Sequence, residues 1–215
     1  MMKYVIEGEL AQIVRLDLAA NDICWASKGA LVSYDPQIQW SLKVPGGLGG
    51  AMRRVMSGEG VSLTYIEATA DKQQVMLSAN QPGKIIEWDL KDGAVIATSG
   101  SFVAAFGPQI EIDVIVARRA GAALFGGAGL FLQKVSGQGC VLIHGAGDFI
   151  EQQLADGESI LVSTGNLAAF SQEVDYDIES VGGLRRMAFG GEGIFMTKLT
   201  GPGRVLLQSL KRVGG

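Results

Sequence analysis

Apolar and polar residues alternate over short stretches along most of this chain. Val14, Leu16 and Leu18 are separated by single polar residues, and Ile110, Ile112 and Val114 by Glu111 and Asp113. A period of two places the apolar set on one face of a strand. Turn signals bound these stretches: Lys91-Asp92-Gly93, Ala155-Asp156-Gly157 and Thr200-Gly201-Pro202-Gly203, which predicts a hairpin within Leu199–Val205. The pattern predicts an all-β protein of many short strands. Helical turns are expected only in the linkers that contain GGLGGAMRRVM and VGGLRRMAF.

The pattern also repeats. Ile13–Asn21 (IVRLDLAAN), Ile85–Gly93 (IIEWDLKDG) and Phe149–Gly157 (FIEQQLADG) follow one another at offsets of 72 and 64 residues. The same offsets relate three strands of small residues ending in Tyr34, Phe106 and Phe170. An alternating strand then follows in each, and after it a glycine motif: MSGEGVSL at Met56, FGGAGLFL at Phe125 and FGGEGIFM at Phe189. Last comes an apolar strand around Leu77, Val141 and Val205, at offsets of 64. The longer first unit is accounted for by insertions on either side of its glycine motif. The prediction is one β domain, residues 1–215, made of three tandem units of 64–72 residues near 13–84, 85–148 and 149–212. A further strand, Lys3–Ile6, is expected to pair with the C-terminal one. One such unit has too little core to stand alone, which favours pseudo-threefold packing.

Composition narrows the function. The 215 residues are 47% hydrophobic and 19% charged, with 31 glycines and only 5 prolines. Lys+Arg is 18 against 22 Asp+Glu, a net charge of −4, which disfavours nucleic acid as a partner. No apolar run approaches the roughly 20 residues of a membrane helix, and MMKYVIEGEL is broken by acidic residues before a signal-peptide core can form. A cytoplasmic location is expected. Two cysteines, Cys24 and Cys140, make neither a metal motif nor a disulfide framework.

Several of these motifs together resemble one family. They are the repeated FGGEG-apolar-Phe, the TGPG segment, the run VDYDIESVGGLRRMAFGGEG at 174–193 and the start MKYVIEG. The chain is similar over essentially its whole length to the altered-inheritance-of-mitochondria family, in its prokaryotic branch of unknown function. The resemblance implies a double-stranded β-helix like that of the tryptophan RNA-binding attenuation protein (TRAP). For mitochondrial relatives it implies a role in inner-membrane organisation. It implies no catalytic residues.

Candidate sites are few. The single histidine, His144, is read as a metal ligand or general base, paired with Cys140 on the same strand face, or as a hydrogen-bonding residue at a strand end. Its repeat counterparts, Asn80 and Gln208, favour the second reading because three different polar side chains occupy the position. One histidine cannot build a two-histidine metal triad, and no metal or cofactor is expected. Cys24, aligned with Ile96 and Ile160, reads as a small buried hydrophobe. Glu111/Asp113 and Asp175/Asp177 put paired carboxylates on one strand face, where Gln39/Ser41 stand in the first unit. A solvated face explains them better than a cation site.

Each linker carries an arginine pair: Arg53-Arg54, Arg118-Arg119 and Arg185-Arg186. These either ring an anion or lipid headgroup, or form ion pairs with the acidic strands of a neighbour. The glycine motif lacks the Gly-Lys-Ser/Thr of a phosphate loop. Gly58, Gly60, Gly127, Gly129, Gly191 and Gly193 are therefore read as structural turns. The expected function is a non-enzymatic oligomeric scaffold or interaction protein near a membrane surface, with a trimer the expected stoichiometry and an unidentified protein partner. The alternatives are an anion or headgroup binder using the arginine pairs, and an enzyme using His144 and Cys140.

Overall fold

The structure is a computed structural model that describes residues 2–45, 62–116, 131–180 and 195–212. These residues form seventeen β-strands and two 3-10 turns, at Leu90–Asp92 and Thr164–Asn166, and contain no α-helix. The fold class is all-β, as the alternation predicts. The arginine pairs, the glycine motifs with Phe125 and Phe189, and the linkers with their expected helical turns lie outside the described residues.

Three consecutive stretches of strands share one pairing scheme. The first holds β2 (Ile13–Leu18), β3 (Ile23–Ala26), β4 (Leu31–Tyr34), β5 (Ile38–Lys43), β6 (Leu63–Ala68) and β7 (Gln73–Ser78). Here β7 is flanked by β2 and β4, while β6 is flanked by β3 and β5, all antiparallel. The second holds β8 (Gly83–Asp89), β9 (Val95–Thr98) and two long strands, β10 (Phe102–Val116) and β11 (Phe131–Ala146). The far half of β11 lies between β8 and the first half of β10; its near half lies between β9 and the second half of β10. The third holds β12 (Phe149–Leu154), β13 (Ser159–Ser163), β14 (Leu167–Ser171), β15 (Asp175–Ser180), β16 (Phe195–Thr200) and β17 (Gly203–Gln208). There β17 is flanked by β12 and β14, and β16 by β13 and β15.

The stretches join edge to edge. β10 pairs with β3 of the first stretch, and β14 pairs with β9 of the second. On β2 alternation buries one side: Val14, Leu16 and Leu18 are at most 2% exposed. The core runs across the joins, because Val103, Phe106 and Leu142 pack with Leu16, Ile66 and Leu77. A second cluster gathers Trp88, Phe102, Val141 and Leu206, and a third Leu132, Phe170, Leu199 and Val205.

The stretches also meet at a parallel seam. Ala11 bridges Gly83, and Gly83 bridges Gly147, at the offsets of 72 and 64. The Gln12 amide donates to the Gly83 carbonyl at 3.1 Å, and the Lys84 amide donates to the Gly147 carbonyl at 3.1 Å. These two bonds occupy matching places, so the seam is continuous from one stretch to the next.

Three expectations need correction. The N-terminal strand β1 (Lys3–Glu7) exists, but it pairs with β2 and not with the C-terminal strand. It is joined to β2 by a short turn, so the local partner is reached first and the β2 edge is filled. The Thr200–Gly203 segment is a corner, not a hairpin: β16 and β17 do not pair with each other but with different neighbours. A Cβ at Gly201 would lie 2.3 Å from the Ala155 carbonyl, so only glycine lets the chain turn there against that backbone. Third, the register sets Ile13 opposite Ser78, Ile85 opposite His144 and Phe149 opposite Gln208. The first-stretch counterpart of His144 is thus Ser78, not Asn80, and that of Val141 is Val75.

Candidate functional site

The most connected polar cluster surrounds His144, near the end of β11. The residue is 0% exposed, and its backbone amide donates to the Ser101 carbonyl at 2.7 Å. Arg212, four residues beyond β17, reaches back over it. One Arg212 Nη2 proton goes to His144 Nδ1 and the same nitrogen lies 3.5 Å from the His144 carbonyl. Arg212 Nε donates to Gln208 Oε1 at 3.2 Å, and that oxygen also accepts from the Ala146 amide at 3.0 Å. Gln208 Nε2 and the Arg212 amide both donate to the Gly165 carbonyl at 2.8 Å. The cluster therefore ties the second stretch to the third.

Because Nδ1 accepts from a guanidinium, the ring proton belongs on Nε2, which faces Gly83 and has no well-formed hydrogen bond. Burial and then the Arg212 charge push the His144 pKa down to about 4, against a smaller upward pull from the Gln81 backbone. At neutral pH the imidazole is an uncharged acceptor. Burial also lowers Arg212, to about 10, so it stays charged.

Cys140 and His144 do not form a dyad. Both side chains are buried, but they stand four residues apart on one strand, roughly 13 Å along it. The thiol of Cys140 neighbours Tyr4, Glu87 and Asp89, and burial first, then the Glu87 charge, push its pKa up. The Tyr4 hydroxyl donates to Glu87 and is likewise raised, chiefly by burial. Cys24 is raised by burial alone. A nucleophilic cysteine needs the opposite surroundings. Both thiols should therefore resist iodoacetamide in the folded protein and react fully in urea, as read by intact mass. Labelling of native Cys140 at the rate of a free thiol would contradict this.

The carboxylate pairs stay on the surface. Glu111, Asp113 and Asp175 are exposed and Asp177 is half-buried. Among the described residues no group of three or more His, Cys, Asp or Glu is placed to hold a metal. No described helix is long and apolar enough to cross a membrane. The sequence pattern singled out arginine pairs and missed Arg212, Lys28 and the Tyr4–Glu87 contact. Only Gln208 was legible, as a repeat counterpart of His144.

Fold and site together define a class: an antiparallel β protein knit from edge-paired strand groups, with a buried polar clamp around His144. Residues 4–210 match the model of a family described as Mitochondrial biogenesis AIM24, and the chain belongs to that family. An uncharacterised protein of Streptococcus pyogenes serotype M6 is 30% identical over 225 residues, spanning 97% of this chain and 86% of the relative. A crystal structure of a Streptococcus pyogenes protein matches with a TM-score of 0.81 at 24% identity, covering 98% of this chain and 94% of that one. That likeness extends to the fold.

Proposed function

We propose that this protein is a non-enzymatic scaffold that assembles head to tail through two open strand edges. In this reading the three strand groups are repeats in a TRAP-like double-stranded β-helix, and each later repeat docks its third strand on the second strand of the one before. One observation carries the reading. β10 takes β3 as its partner and β14 takes β9, yet β4 and β13, which hold the same two places at the ends of the series, have no such partner among the described residues.

The internal joins set the register of the missing one. Phe106 faces Cys24 and Phe170 faces Ile96; Ala105 faces Trp25 and Ala169 faces Ala97. Carried back by 72 residues on one edge and forward by 64 on the other, this places Tyr34 opposite Ile160, Ser33 opposite Leu161 and Val32 opposite Val162 of a second copy. Both edges are apolar where they would meet: Val32 is 58% exposed, Tyr34 47% and Leu161 52%. An exposed apolar edge is a standing template for another strand. A head-to-tail contact closes into a ring or runs on as a filament. A closed ring is the expected product, with three copies as its count. The linker arginine pairs, which recur once per repeat in the sequence, are the proposed contact for an acidic partner or an anionic surface.

The test is disulfide trapping. Ser33→Cys with Leu161→Cys puts directly opposed residues at the joint, where Cβ atoms sit about 5 Å apart, close enough to bridge after a small shift. Oxidation should give covalent oligomers, whereas Ser33→Cys with Ser159→Cys, out of register, should not. Leu161→Glu should release monomers in native mass spectrometry. A monodisperse monomer of the unmodified protein in light scattering would overturn the proposal.

A further inference from the structure

A small cavity of about 90 Å³ opens beside the His144 clamp. Its walls include Ser27, Lys28, Asn80, Ser99, Gly100 and Arg212. The walls contain no aspartate or glutamate, in a chain whose acidic residues outnumber its basic ones by 22 to 18. Among the described residues the two cations at this cavity are uncompensated. Arg212 spends Nε and Nη2 on Gln208 and His144, both neutral, and makes no ion pair among the described residues. Its Nη1 has no hydrogen-bond partner there and lies against Gly100, where a Cβ would come within 2.6 Å. Lys28 is exposed and has neither an ion pair nor a hydrogen bond among the described residues. The side chains of Asn80 and Ser99 are likewise unengaged there.

We propose that this cavity binds a small oxyanion, a phosphate group either free or at the head of a lipid. Arg212 presents Nη1 and Lys28 a mobile ammonium, and two cations without a carboxylate suit a doubly charged group better than a single carboxylate. Asn80 and Ser99 add neutral donors at the rim. The clamp prepares the site. His144 and Gln208 hold the guanidinium by its other nitrogens, so little side-chain freedom is left to lose when the anion arrives. The site uses none of the linker arginines and does not depend on head-to-tail assembly.

Calorimetric titration with inorganic phosphate and co-sedimentation with phosphatidylcholine vesicles containing phosphatidic acid distinguish the two sources. The key variant is Lys28→Gln, because an exposed side chain can be changed without unfolding the protein. A phosphate affinity weakened at least about tenfold by Lys28→Gln, and also weakened by Arg212→Lys, which keeps charge but loses the planar fork, supports a free phosphate ligand. Vesicle binding lost in Lys28→Gln, without measurable heat from inorganic phosphate, supports a lipid headgroup. Binding of neither probe, or binding unchanged in both variants, overturns the site.

Discussion

Gly83→Ala is expected to destabilise the protein by several kcal/mol, on the order of 3 or more, as a drop in the midpoint of urea or thermal unfolding. A Cβ at this position would sit 1.9 Å from the Gly145 carbonyl oxygen, 2.8 Å from His144 Nε2 and 2.9 Å from the Gly147 amide nitrogen. Two of these three are backbone, so no rotamer change relieves the clash. Gly83 is also the middle of the parallel seam, bridged to Ala11 and Gly147 and accepting from the Gln12 amide. Displacing it loosens the first and second stretches together. Gly157→Ala is the control: its φ is +73°, but nothing lies within 4 Å of the added methyl, so only the backbone cost of about 1 kcal/mol applies. Equal losses from the two substitutions would show that the seam is not close-packed.

Acid should weaken the fold through His144 well before general carboxylate protonation completes. Its pKa is about 4 in the folded protein against 6.5 for the free side chain. The folded state therefore disfavours the proton, and the unfolded state binds more protons between those values. The contribution is fully present above pH 6.5 and is lost progressively as pH falls toward 4. Complete loss amounts to about 3 kcal/mol at most. His144→Gln, the residue that occupies the matching place at 208, should flatten the stability profile across that window while keeping an acceptor for Arg212. A profile with the same slope in both proteins would place the acid sensitivity elsewhere.

Much of the architecture is legible in the alternation of the sequence, and its failures have physical causes. The alternation of β2 is legible because one of its sides is buried and the other partly covered, whereas β9 and β14 are buried on both sides and show no such alternation. Placing Leu77 where the register puts Val75 has a simple origin. Both are 0% exposed, and a two-residue slip along a strand leaves every side chain on its own face. Periodicity reports which side is buried, not which residue is opposite. The glycine-proline segment at 201–203 misled for a related reason, since a hairpin and a sheet-switching corner need the same turn chemistry. Arg212 was invisible because its counterpart at an offset of 64 is Asp148, which shares none of its chemistry. What gives it a role is that the chain after β17 returns to His144, which only the tertiary structure shows. The arginine pairs and glycine motifs, prominent in the sequence, lie outside the described residues.

The pairing scheme has a consequence for how the chain is made. In each stretch the first strand waits for the last, as Ile13 does for Ser78, so a group closes once its own last strand has left the ribosome. By then β3 already offers a finished edge, and β10 grows onto it; β9 later does the same for β14. Synthesis from the N-terminus thus lays down the sheet in the order in which it is paired, each section serving as the mould for the next. In the head-to-tail assembly proposed above, nascent neighbours on one message would each expose β4 early and β13 late, so joining between chains would begin only when a chain's last mould is complete.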